Sequence, residues 1–118
     1  MGEVLVRFRI HGPKCSYELD GVADTGATFT KVPKEVTELV GIEKRYEVEV
    51  ELADGRVISR GAGLADIEIN NTRRPVLVTF SDENEKPLIG VTTLETLGLR
   101  VNPITRKLEP VRAIEYYV

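Results

Sequence analysis

The sequence predicts a mostly β chain, closed or barrel-like, with two short helices, and three observations lead there. Apolar and polar residues alternate with period two along several segments, beginning with Val4, Val6, Phe8 and Ile10. Turn-forming pairs such as Asp54-Gly55 separate these segments at short intervals. Helix punctuation occurs around two short stretches, 33–41 and 91–97. Many short strands with few helices make a mostly β architecture.

The first strand sets Val4, Val6, Phe8 and Ile10 against Leu5, Arg7 and Arg9, so one face is expected to be buried. His11-Gly12-Pro13-Lys14 is a turn, and residues 15–23 return as a second strand. Asp20-Gly21 within it predicts a bulge or bend. The hairpin delivers Asp24 at its far end. Residues 29–32 form a short strand. A helix follows over 33–41, with proline in its first turn, glycine at its end, and Val36, Leu39 and Val40 on one face.

Tyr46, Val48, Val50 and Leu52 alternate with Arg45, Glu47, Glu49 and Glu51, a half-exposed strand whose glutamates form a solvated face. The turn Ala53-Asp54-Gly55-Arg56 leads into a return strand over 57–69. Gly61 and Gly63 inside it predict a bend or a close backbone approach. Asn70-Asn71-Thr72-Arg73 is a further turn, Val76, Val78 and Phe80 a further strand, and 81–86 a charged loop. Pro87-Leu88-Ile89-Gly90 is short and apolar. The second helix covers 91–97, with Thr92 or Thr93 as its cap and Gly98 as its stop. Residues 99–101 run to a turn at Asn102-Pro103, 107–110 form a hairpin arm, and 112–118 are a strand-like tail.

At 118 residues a single domain over 1–118 is expected. A chain of that length buries roughly two thirds of its unfolded surface, enough for a real core. A net charge of -3, mixed along the chain, argues against nucleic acid or an anionic membrane as partner. Arg73-Arg74 reads as a charge pair beside a turn. One cysteine, Cys15, and one histidine, His11, exclude an intramolecular disulfide and leave too few ligands for a zinc site, so no metal and no cofactor are expected. Cys15 is expected to act as a small buried hydrophobe. Met1-Gly2-Glu3 lacks a charged signal-peptide head, and no run is apolar enough to span a membrane, so the cytoplasm is the expected location.

The chemistry is expected at Asp24-Thr25-Gly26, an acid in a tight turn between two apolar segments. Such residues also make ordinary surface turns, so the remainder of the chain has to decide. Ala23-Asp24-Thr25-Gly26-Ala27 resembles the active-site signature of the retropepsin-like aspartic proteases, the retroviral protease superfamily. Asp54-Gly55 stands at the hairpin tip where that family carries its flap. Leu88-Ile89-Gly90 before a short helix resembles its second conserved element. Residues 94–103 are similar to the ending of single-domain cellular members. Order and coverage agree along nearly the whole chain.

The resemblance implies an acid-protease-like closed β-barrel with a flap hairpin, acting as an aspartic endopeptidase. With one Asp-Thr-Gly in the chain, it implies a homodimer in which Asp24 meets its symmetry mate and a water between the two carboxylates attacks the peptide bond. It gives Thr25, Gly26 and Ala27 the support of the active-site loop, and Leu88, Ile89 and Gly90 a packing role beneath it. Asp54, Gly55, Arg56 and Val57 become flap residues over an extended peptide. The tail at 115–118 would add a strand to the dimer interface. Phe29, Val32, Val57, Ile58 and Phe80 suggest apolar substrate pockets. Thr28 and Phe29 replace the acidic residues usual after the alanine, and Val91 the usual arginine after the glycine. Those departures motivate the alternative, a non-catalytic peptide-binding or scaffold module on the same fold.

Overall fold

The hairpin that carries the acid forms as the alternation predicts. A computed structural model describes residues 3–117. Strand β1 (Leu5–His11) pairs antiparallel with β2 (Ser16–Ala23) in unbroken register from Leu5–Val22 to His11–Ser16. The expected bulge at Asp20-Gly21 is absent, because both residues keep partners in the ladder. Gly21 serves packing: a Cβ there would lie 2.8 Å from the Phe8 ring. Cys15 is exposed, just outside β2, and is not the buried residue expected.

Strand β3 (Thr30–Pro33) runs into helix α1 (Lys34–Val40). Gly41 ends the helix at φ 87°, and the N–H groups of Gly41 and Ile42 both reach the Thr37 carbonyl, at 3.0 and 2.8 Å. Glycine relieves the left-handed strain that any Cβ would bring to this cap. The buried face is Thr37 and Val40, with Val36 half-buried, while Leu39 is 51% exposed. The expected Leu39 contact fails because the 12–14 turn packs on Val40 instead. Lys14 N–H donates to the Val40 carbonyl at 3.0 Å, and a Cβ on Gly12 would overlap that carbonyl.

Strands β4 (Tyr46–Glu51), β5 (Val57–Ile69) and β6 (Thr72–Ser81) form a meander. The β5–β6 turn puts Asn70 and Asn71 at φ 50° and 67°, both positive as a two-residue type I′ hairpin requires. The β4–β5 turn differs. Gly55 N–H bonds the Leu52 carbonyl at 2.9 Å and Leu52 N–H bonds the Arg56 carbonyl at 2.8 Å. With Gly55 alone at positive φ, 86°, this is a three-residue loop with a glycine bulge. Gly61 and Gly63 admit a close approach, as the sequence suggests. A Cβ on Gly63 would lie 2.4 Å from the Glu43 carbonyl oxygen.

The short strand β7 (Leu88–Ile89), helix α2 (Val91–Thr96) and the hairpin β8 (Leu99–Asn102) with β9 (Lys107–Pro110) complete the chain. The main sheet runs β1-β2-β7-β3-β6-β5-β4. β1 also pairs with β5, at Arg9–Glu68, Ile10–Ile67 and His11–Asp66. The interior is Phe8, Ile10, Val32, Val40, Ile67, Val78, Ile89 and Leu94, all inward positions of alternating strands or of the two helices. Residues 111–117 form no strand, so the strand-like tail is absent among the described residues; Val118 lies outside them. No described helix is long and apolar enough to cross a membrane.

Ile67 is fully buried and stands opposite Ile10 where β5 meets β1. Ile67→Ala is expected to lower unfolding free energy by about 3 kcal/mol, read as a lower urea midpoint with an unchanged slope.

Candidate active site

The turn after β2 holds its acid by backbone on both sides. Asp24 N–H donates to the Ile89 carbonyl at 3.0 Å, and Ala27 N–H closes the turn on the Asp24 carbonyl at 3.1 Å. Gly26 N–H donates to Asp24 Oδ1 at 2.9 Å, an Asx turn. Asp24 Oδ2 has no hydrogen-bond partner among the described residues. A Cβ on Gly26 would approach Oδ1 to 3.2 Å, so glycine keeps that oxygen uncrowded. Asp24 and Ala27 are half-buried, and Thr25 is exposed.

The Leu-Ile-Gly element braces this turn through named bonds. The first amides of α2 have no intrahelical partner. Val91 N–H donates to the Ala27 carbonyl at 2.8 Å and Thr92 N–H to the Thr28 carbonyl at 3.2 Å. The expected threonine cap is therefore absent, and Gly90 occupies the N-cap position. The Thr92 hydroxyl donates to the Thr28 carbonyl at 2.6 Å instead. Thr93 is buried and shares a 2.6 Å hydrogen bond with the Thr30 hydroxyl, which also accepts from Gly90 N–H at 3.2 Å. A Cβ on Gly90 would stand 2.4 Å from the Phe29 carbonyl carbon. Only glycine lets the two segments cross. Ile89 and Gly90 are buried; Leu88 is half-buried and lines the cleft.

That cleft, about 690 Å³, opens over Asp24, Gly26 and Ala27. Its other wall is the end of β4 and the chain leading to the hairpin tip, residues 49–53. The expected flap residues Asp54, Gly55, Arg56 and Val57 do not line it. Val57 is 58% exposed, since it pairs with Glu51 on the outer face of the hairpin. Asp54 accepts from Arg56 N–H at 3.0 Å and from Arg56 Nε at 2.7 Å. Those bonds, the backbone one foremost, hold its carboxyl below the ordinary value. Of the five residues suggested for apolar pockets, Phe29 lines the cleft. Val32 is core, Phe80 packs against it, and Val57 and Ile58 lie away from the cleft lining.

Sequence reading missed three charged residues here. Lys31 and Arg60 line the cleft, and Glu85 binds both. Arg60 Nη2 and Nη1 donate to the two Glu85 oxygens at 2.7 and 3.1 Å, Lys31 Nζ donates at 3.2 Å, and Asp82 N–H at 3.1 Å. Burial pushes the Glu85 carboxyl up, but the Arg60, Asp82 and Lys31 bonds outweigh it and hold the group at about 2. Nothing local in sequence joins positions 31, 60 and 85. Among the described residues, no group of three or more His, Cys, Asp or Glu is placed to hold a metal.

Two outcomes test this construction. Gly90→Ala is expected to destabilise by about 1–3 kcal/mol, because backbone and not a flexible side chain must move; thermal denaturation measures it. Glu85 ionises at about 2 when folded, below its ordinary 4.5, so its stabilisation is present above pH 4.5 and is lost as pH falls toward 2. Glu85→Gln should therefore cost on the order of 2 kcal/mol near neutrality, with the deficit shrinking through that window.

No curated protein matches the chain. The sequence model of one family, described as gag-polyprotein putative aspartyl protease, matches residues 10–96. That span takes in β2, the Asp24 turn, the β4–β5 hairpin and the Leu-Ile-Gly element through α2. On this match across most of its length, the chain belongs to the gag-polyprotein aspartyl protease family.

Proposed function

We propose that the protein is an aspartic endopeptidase, active as a homodimer on extended peptides or unfolded protein. The observation that carries the reading is Asp24 itself: one carboxylate oxygen held by Gly26 N–H, the other without a partner among the described residues, both at a cleft large enough for side chains. One such acid is half of the machinery. A two-fold axis beside the turn brings in the second.

Two carboxylates about 3 Å apart cannot both ionise, so they share a proton. The ionised partner takes a proton from the water between them as it attacks the carbonyl carbon. The protonated partner donates to the carbonyl oxygen. The pair titrates as a unit. Thr25, exposed beside the axis, braces the two loops against each other. Gly26 and Ala27 keep the floor low, Ile89 and Gly90 carry it, and the hairpin with Asp54, Gly55, Arg56 and Val57 closes over the peptide. The β1–β5 pairing supports reading the sheet as a closed barrel in one domain over 1–118. The single Cys15 fits a cytoplasmic setting.

A second reading is a non-catalytic peptide-binding module. It is favoured by the tip residues 54–57, which stand off the cleft lining.

The test is cleavage of an unfolded protein, sensitive to pepstatin. Specific activity should rise with protein concentration as dimers form. Asp24→Asn should reduce kcat about 100- to 10,000-fold while leaving the fold intact by circular dichroism. Cleavage that survives Asp24→Asn rules the assignment out.

A further inference from the structure

The charged residues of the cleft lining are Asp24, Glu49, Glu51, Lys31 and Arg60, and the two cations stand together at Glu85. Lys31 sits between buried Thr30 and Val32, so its side chain leaves the opposite face of β3. Arg60 stands opposite Val48 in the β4–β5 pair, on the face it shares with Val50 and Ile58. Glu47, Glu49 and Glu51 pair with Gly61, Ser59 and Val57 on the other face. The carboxylates of β4 therefore stand on the face opposite Arg60, although Glu49 and Glu51 both belong to the cleft lining.

One carboxylate, Glu85, serves both cations, which leaves an excess of one positive charge. Its acceptor sites are filled by Arg60 twice, by Lys31 and by Asp82 N–H. Lys31 Nζ has one partner for its three donors, and Arg60 Nε has none among the described residues. The Arg60 side chain is only 10% exposed and that of Lys31 only 19%. Partly desolvated donors with excess charge favour an anion over a neutral group.

We propose that Lys31 and Arg60 form a subsite selecting an Asp or Glu side chain in the bound peptide; this rests on reading the cleft as a peptide site. The sheet fixes its position. Lys31 pairs with Leu88, which pairs with Val22, so Lys31 is two strands from the acid-bearing β2. Two strand spacings are about 10 Å, the length of about three extended residues. The favoured acidic residue therefore lies two to four positions from the cleaved bond.

The probes are octapeptides of Ala, Leu and Phe that carry Glu or its neutral isostere Gln at one position at a time. Their affinities for the Asp24→Asn protein are measured by fluorescence anisotropy, and their cleavage by the native protein separately. At one position Glu should bind about tenfold more tightly than Gln. Lys31→Met should bring that ratio close to one, and Lys31→Arg should preserve it. Equal affinity for the twins at every position, or a ratio that survives Lys31→Met, overturns the subsite even if cleavage proceeds. An affinity difference without cleavage supports the subsite and counts against the protease reading.

Discussion

The arrangement depends on one constraint: two segments some sixty residues apart must cross at backbone distance. Asp24 N–H reaches the Ile89 carbonyl, and the carbonyls of Ala27 and Thr28 receive the first amides of α2. Beneath them Thr30 and Thr93 share a buried hydrogen bond. The Thr30–Thr93 bond satisfies groups that would otherwise be buried orphans, and burial without partners costs more than such bonds contribute. The acid is thus held by the main chain, whose position the whole sheet fixes, and not by a neighbouring side chain that could rotate. Gly90 is the hinge of this logic, because any side chain there meets the Phe29 carbonyl group.

The opposite side of the cleft is organised by charge. Arg60 and Lys31 approach the cleft from β5 and β3, and neither is well solvated. Glu85, brought in by the loop after β6, supplies the carboxylate that makes their burial tolerable. The same bonds pin that loop against the sheet. One wall of the cleft is therefore a rigid ionic network and the other a hairpin arm tied down through β5. The floor between them carries Asp24, whose Oδ2 has no hydrogen-bond partner among the described residues.

The local pattern predicted strands well because alternation is a direct record of a half-buried sheet. β1 and the second half of β5 follow it residue by residue, β4 follows it apart from exposed Tyr46, and Pro33 and Gly41 bound α1. The features that were misread are those another segment decides. Leu39 has helical spacing but faces outward, because the 12–14 turn occupies the helix end. Thr92 and Thr93 look like caps, but their hydroxyls serve residues 28 and 30. Val57 looks like part of an apolar pocket, yet its pairing with Glu51 leaves it off the cleft lining.

The sequence by itself determined the β class, the hairpin that delivers Asp24, and the identity of the acid turn and its Leu-Ile-Gly support. These rest on period, turn chemistry and short motifs, all written within a few adjacent residues. Only the tertiary structure decided which part of the hairpin borders the cleft, and that Lys31, Arg60 and Glu85 meet there. Pairing of β3 and β5 with β6 brings positions 31 and 60 near each other, the loop after β6 carries position 85 to them, and no local propensity encodes which strands become neighbours.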